Sequence, residues 1–384
     1  MKKVMVIYGT RPEAIKMAPL VKALQHSDVL SPIVVSTGQH REMLDQVNQW
    51  FGIEPELDLD VFKPGQGLTE LAARILDRLP EVLDAEQPDA VVVQGDTSTV
   101  AMAAIACFYK EIPVVHLEAG LRSGNIHSPF PEEANRKLAG QVAALHLAPT
   151  TSARDNLLRE AIDPAQVVVA GNTVIDALNW TAEHDVEFSD PRLVAEAAAG
   201  RKMVLLTTHR RENWGAPMED IGAAVADLAR RYPEYLFVFP AHRNPRVREA
   251  VFPRIAGLDN VVVVEPLDYP QFVHAQRWAH IILTDSGGVQ EEAPSFGKPV
   301  LVLRENTERP EAVDAGTVKL IGTERERIVA ETARLIDDPA AYAEMSHAVN
   351  PYGDGKAAER CVAAIAELMG VGERLPDFTV NAAG

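Results

Sequence analysis

HIILTDSGGVQEEAPSFGKPVLVLR, residues 280–304, decides the fold. An apolar run ends in Thr284-Asp285-Ser286, turns through Gly287 and Gly288, and enters a helix-like stretch carrying Glu291 and Glu292. The chain then returns as a second apolar run. Runs apolar on both faces, separated by helix-length segments, are the mark of parallel strands covered by helices on each side. The pattern recurs along the whole chain. VMVIYG, SPIVVST, DAVVVQGD, PVVHLEAG, ALHLAPT and QVVVAG fall in the first half, and KMVLLTTH, YLFVFPAH, NVVVVEPL, HIILTDSGG, KPVLVLR and VKLIGT in the second. This rhythm predicts an α/β protein of two doubly wound, Rossmann-like domains. The junction is expected near Gly171 to Gly200, where AEHDVEFSDPRLVAEAAAG is polar and in parts helix-breaking.

Bulk properties narrow the chemistry. A chain of 384 residues is too long for one comfortable core, so two domains are the default. A net charge of −18 argues against nucleic acid or an anionic membrane as partner. An anionic ligand would need a local cluster of basic groups. No apolar run reaches the length of a membrane span, and the start MKKVMVIYGTRPE reads as a first buried strand and not a signal peptide. Cys107 and Cys361 stand far apart in apolar, helix-like contexts, as core residues of a reducing compartment. A cytoplasmic location is therefore expected. The first strand is followed by GTRPEA and not by G-x-G-x-x-G, and the chain holds no P-loop, H-E-x-x-H or paired-cysteine motif. No cofactor and no metal are expected.

In open α/β sheets the ligand lies beyond the carboxyl ends of the strands. The first end offers Arg11 at a helix mouth and Lys16 one turn on; alone, these read equally well as solvated cations. QGDTST brings Asp96, HLEAGLRSG brings Glu118, and the loop SGNIHSPFP delivers Glu132 and Glu133 to the first turn of a new helix. Helix capping accounts for any one of these acids. Three carboxylates around one pocket are harder to explain that way, because like charges raise each other's pKa at a cost in stability. A general acid and base pair is the better reading. In the second half, TTHRREN puts His209 at a strand end beside Arg210 and Arg211. Ser286, Gly287 and Gly288 would offer backbone N–H groups to a diphosphate, and Glu292, one turn on, would accept from the hydroxyls of an attached ribose. Arg309 stands just before a Pro-started helix.

These residues carry a family resemblance. GTRPEAIKMAPL, HREMLDQV, GDT, HLEAGLRSG, PFPEEANR, GNTVIDAL, HRREN, TDSGGVQEEAPSFGKPVLVLR, TERPEA and NPYGDG, in this order, resemble the bacterial non-hydrolysing UDP-N-acetylglucosamine 2-epimerases over nearly the whole chain. The resemblance implies the two-domain GT-B fold with the active site in the interdomain cleft, a homodimer, a UDP-sugar substrate and no nicotinamide. It implies a first domain of residues 1–171 carrying the acids, rejoined by a final helix near 355–372, and a UDP-binding domain of 172–354. By the family pattern Arg11, Lys16, Asp96, Glu118, His209, Phe272, Ser286, Gly287, Gly288, Glu292 and Arg309 bind nucleotide sugar, and Asp96, Glu118, Glu132 and His209 match catalytic positions. The segment EPLDYPQF departs from the pattern, with Leu267 where some relatives carry glutamine. Some bacterial relatives use their own substrate as an activator; Gln39, Arg41, Arg210 and His242 would be its contacts here.

The implied chemistry needs no cofactor. The C2 proton of the sugar is not beside a carbonyl, so either a hydride carrier oxidises a neighbouring carbon or UDP leaves from C1 as C2 loses its proton. The missing dinucleotide fingerprint favours elimination, through a 2-acetamidoglucal-type intermediate to which UDP adds back after protonation from the opposite face. Rival readings are a GT-B glycosyltransferase, which needs an acceptor groove, a hydrolysing epimerase, which releases free sugar, and a nucleotide-sugar sensor, which tolerates loss of the acids. The product would feed cell-surface polysaccharide precursors.

Overall fold

The computed structural model describes residues 1–38, 41–63 and 65–380, without the side chains of residues 41–43. The chain divides into two compact units, Met1–Ala177 with Tyr352–Thr379, and a second made chiefly of Leu178–Pro351. Each is built on one sheet.

The first unit holds β1 (Lys2–Tyr8), β2 (Leu30–Ser36), β3 (Leu57–Asp58), β4 (Ala90–Gln94), β5 (Val114–Leu117), β6 (Leu145–Ala148) and β7 (Val167–Val169), in the order β3-β2-β1-β4-β5-β6-β7. Every pairing is parallel. The apolar runs of the sequence supply six of these strands. β3 escapes such a reading because it is two residues long within the polar alternation ELDLD at the sheet edge. The β-branched run of β1 shows why the strands form: Val4, Met5, Val6 and Ile7 have no exposed surface, packed between helices on both faces. Truncating one such side chain, Ile7→Ala, would cost about 2–5 kcal/mol.

The second unit holds β8 (Met203–Thr207), β9 (Leu236–Pro240), β10 (Val261–Val264), β11 (Ala279–Thr284), β12 (Val300–Val302) and β13 (Val318–Leu320), again parallel, in the order β10-β9-β8-β11-β12-β13. Leu206, Phe237, Phe239, Ile281, Leu283 and Leu301 anchor its core.

Both orders reverse direction once, between β1 and β4 and between β8 and β11. Such a switch point opens a crevice at the carboxyl ends of its two strands, because the following connections run to opposite sides. The helix Ala357–Leu368, late in the chain, belongs to the first unit. The half-buried Asp176 carboxylate accepts from the N–H groups of Ala357 (3.3 Å) and Ala358 (2.8 Å), which tethers the start of that helix. Beyond it the Phe378 N–H donates to the Val169 carbonyl at 2.7 Å, along the edge of β7. Among the described residues no helix is long and apolar enough to cross a membrane.

Candidate active site

In the first unit the site grows from the ends of β1, β4 and β5. After β1, Thr10 caps the helix Arg11–Gln25, and Glu13 completes a capping box by accepting from the N–H groups of Gly9 (3.0 Å) and Thr10 (2.7 Å). The same carboxylate accepts the Thr97 hydroxyl at 2.6 Å, tying the β1 end to the β4 end across the switch point. Glu13 is buried, and burial raises its pKa against the pull of these hydrogen bonds. Arg11 opens the helix half-buried, and Lys16, one turn on, ion-pairs with Glu118.

At the β4 end, Gly95 turns the chain with φ +78°, a left-handed conformation that costs glycine least. Thr97, and not Asp96, caps the next helix, accepting from the Val100 N–H. The capping account of Asp96 is thereby removed. Its carboxylate instead ion-pairs with Arg136, while its carbonyl accepts from Asn135 at 3.0 Å. Arg136 is shared with Glu133 at 3.2 Å. Glu133 is fully buried and also accepts from the N–H groups of Ser123 (3.0 Å) and Gly124 (3.3 Å), anchoring the loop that leads to it. Glu132 opens the helix Glu132–Val142 half-buried, so the paired glutamates divide into one that builds and one that faces outward more.

Glu118 follows β5 with φ +59°, an uncommon conformation for a residue with a side chain. Donors gather on it from three elements. Lys16 and Asn172 (3.3 Å) reach Oε1, and the buried Gln94, last residue of β4, reaches Oε2. Because β4 and β5 pair with Gln94 opposite Leu117, Asp96 and Glu118 emerge from neighbouring strand ends. An ammonium and two amides all donate, which favours the ionised carboxylate.

In the second unit, Asp285 follows β11 fully buried. It accepts from the Thr208 hydroxyl (2.8 Å), the Arg210 N–H (2.9 Å) and the Asn213 amide (3.1 Å), and pairs with His209 Nδ1 at 3.2 Å. Burial pushes its pKa up, but these donors and His209 outweigh it and leave the carboxyl below its usual range. A carboxylate on one ring nitrogen fixes the imidazole's orientation. His209 stacks on His242 with ring centroids 5.8 Å apart, bringing together the ends of the neighbouring strands β8 and β9, and Arg210, next in the chain, pairs with Glu308 at 3.1 Å. Gln39 and the side chain of Arg41 lie outside the described residues.

The glycine turn opens the helix Gly287–Glu292. The Ser286 N–H is already committed to the Thr284 hydroxyl at 2.9 Å, which corrects the expectation that it stands open to an anion. The N–H groups of Gly287 and Gly288 remain as first-turn donors, which a helix leaves without intrahelical acceptors. A side chain on Gly287 would run into the Arg309 guanidinium, so that cation lies directly across the turn. Buried Glu291 holds Arg309 through Nε at 2.6 Å. Glu292 accepts from Gln276 at 2.7 Å, and Phe272 stands one turn earlier on the same helix, Tyr269–Trp278. Leu267 is buried beside its start.

Glu13, Glu133, Arg136, Asp285 and Glu291 carry this architecture without having been singled out from the sequence. Glu133, Asp285 and Glu291 stand directly beside selected residues, but contacts such as Arg136 with Asp96 and Asp285 with His209 join distant segments. Among the described residues no three His, Cys, Asp or Glu side chains are grouped to hold a metal.

Comparison with known proteins fits this geometry. The family model described as UDP-N-acetylglucosamine 2-epimerase matches residues 22–366. A UDP-N-acetylglucosamine 2-epimerase of Yersinia pestis is 52% identical over 368 residues, 94% of this chain and 98% of that protein. The crystal structure of the Neisseria meningitidis UDP-GlcNAc 2-epimerase bound to UDP-GlcNAc is 46% identical, with a TM-score of 0.85 over 95% of this chain and 100% of that one. The S. aureus MnaA–UDP co-structure is 48% identical, with a TM-score of 0.87 over 99% of this chain and 100% of that one. The two-sheet architecture is thus that of GT-B enzymes, and the chain belongs to the UDP-N-acetylglucosamine 2-epimerase family.

Proposed function

We propose that this isomerase interconverts UDP-N-acetylglucosamine and UDP-N-acetylmannosamine without net hydrolysis. The reading rests on the two carboxylates Asp96 and Glu118 emerging from neighbouring strands, each held by cationic or amide donors and neither spent on capping. In the forward step a carboxylate takes the C2 proton while the C1–O bond breaks and UDP departs with its electron pair, leaving a C1=C2 double bond. UDP then re-forms the C1–O bond as a second group delivers a proton to the other face of C2. Asp96 and Glu118 are the pair, with Glu132 assisting; opposite-face chemistry requires two groups.

The departing diphosphate carries the developing charge. Gly287 and Gly288 amides, the Ser286 hydroxyl and Arg309 receive it, with Arg11, Lys16 and His209 assisting. Glu292 takes the ribose hydroxyls and Phe272 packs against the uridine side. No cofactor enters this scheme. The acids belong to the first unit and the UDP groups to the second. The enzyme acts as a cytoplasmic homodimer, its product feeds cell-surface polysaccharide precursors, and Arg210 and His242, beside His209, belong to a second binding place where substrate activates.

The test is incubation with UDP-N-acetylglucosamine in deuterated water. UDP-N-acetylmannosamine bearing deuterium at C2, formed without added NAD or metal, is expected. Product without deuterium would overturn the elimination route, and accumulating free sugar would favour the hydrolysing reaction.

A further inference from the structure

We propose that Asn172 is a positioning residue for the Glu118 carboxylate, through which the segment following β7 sets the placement of that acid. The inference rests on the reading of Glu118 as a proton-transfer group. Asn172 is buried and all of its polar groups have assigned work. Its Nδ2 donates to Glu118 Oε1 at 3.3 Å, and its Oδ1 accepts the Val174 N–H at 3.1 Å. Its backbone N–H donates to the Tyr352 carbonyl at 2.7 Å, and its own carbonyl accepts the Ile175 N–H at 3.0 Å.

These contacts decide which end of the amide faces the acid. The Val174 N–H demands an oxygen, so the amino group is left for Glu118. The backbone is equally constrained. Gly171 has φ +90°, and a side chain there would sit 3.5 Å from Ala357 Cβ and 3.6 Å from Gly353 Cα. A side chain on Gly353 would in turn lie 3.3 Å from Ile175 Cγ1 and 3.5 Å from the Asn172 carbonyl. Two glycines thus let the strand-end segment and the returning Tyr352–Gly353 segment close on Asn172. Lys16 supplies the positive charge that Glu118 needs, but a lysine is a flexible point charge. The short amide, fixed at its other end, gives direction.

Asn172→Asp tests this with little change of shape. It keeps an oxygen for Val174 and both backbone bonds, but exchanges the donor on Glu118 for a like charge. The expected result is a folded enzyme with kcat near neutral pH lowered about tenfold or more, and KM within about threefold. The acidic limb of its kcat profile should move to higher pH by about one unit, since a carboxylate losing a donor and gaining a negative neighbour protonates more readily. Among the described residues Lys16 is a charged group paired with Glu118, and Lys16→Met measured alongside separates its contribution. Asn172→Ser, which keeps an acceptor near Val174 but withdraws the donor, should move the limb in the same direction by less. It carries the test if Asn172→Asp melts early. Wild-type kcat and limb in a folded variant would overturn the proposal. So would a loss of kcat with no movement of the limb, or failure of both variants to fold, either of which makes Asn172 merely structural. If Glu118→Gln itself retains epimerisation, the reading of Glu118 has failed instead.

Discussion

The two units share a topology and put charge to opposite uses at their strand ends. In the first, donors gather on carboxylates: Lys16, Gln94 and Asn172 on Glu118, Arg136 on Asp96. In the second, carboxylates gather on basic groups. Glu291 and Glu308 flank Arg309, Asp285 orients His209, and Glu308 also pairs with Arg210 and Arg304. Burial raises the pKa of Glu308, but Arg309 and its neighbouring cations outweigh it and hold the carboxyl at about 2. The difference teaches that a switch point supplies only location. What differs is the sign of the group that its neighbours hold in place, an acid in the first unit and a cation in the second.

The largest effects should come from removing the first unit's acids. Asp96→Asn, Glu118→Gln and Glu132→Gln are each expected to lower kcat by roughly 10²-fold or more, with UDP affinity changed far less. Steady-state kinetics with parallel UDP titrations check this. Intact turnover with a lowered melting temperature at two of the three positions would make the acids structural and dissolve the contrast.

A smaller effect, with the opposite signature, is expected in the second unit. Gly287→Ala drives a methyl group into the Arg309 guanidinium and displaces it from the turn. UDP affinity should fall about tenfold, the loss of one charge-assisted contact, while the first unit's melting is untouched. Calorimetric titration with UDP decides. Unchanged affinity would remove Arg309 from the anion site.

A third effect, read as stability and not as turnover or affinity, belongs to a pair of histidines beneath the first unit's site. His116 and His146 are opposite each other on β5 and β6, both buried. Burial pushes their pKa values down to about 4 and about 3. The unfolded chain therefore binds protons that the folded chain refuses. Their contribution to stability is intact above about pH 6.5 and is lost as pH falls below it, by about 2 kcal/mol for His146 at pH 5. Neither ring nitrogen of His146 hydrogen-bonds to a described residue, so His146→Leu should flatten the fall in melting temperature between pH 7 and pH 5. A slope equal to wild type would refute the assignment.

The strand pattern was legible because buried parallel strands announce themselves as unbroken apolar runs; β3 was not, being two residues long in a polar alternation. Asp96 and Glu118 were legible as strand-end acids for the same reason. The distribution of labour between adjacent acids was not. Glu291 and Glu292 differ by one position, yet about 100° of helix rotation sends one to Arg309 and the other to Gln276. Glu132 and Glu133 divide similarly. Asn172 was visible only inside GNTVIDAL, since its partners Glu118 and Tyr352 are remote in sequence. Long-range hydrogen bonds leave no local periodicity to read.

The return of Ala357–Leu368 to the first unit has a consequence for how the protein is made. On the ribosome the first unit's sheet emerges early, yet the helix bearing the buried Cys361, tethered by Asp176, is synthesised only after the whole of Leu178–Pro351. The main body of the second unit, Leu178–Pro351, is uninterrupted in sequence and can close as it emerges, whereas the first must wait with an apolar face open. The order of completion in the cell is therefore the reverse of the order of synthesis.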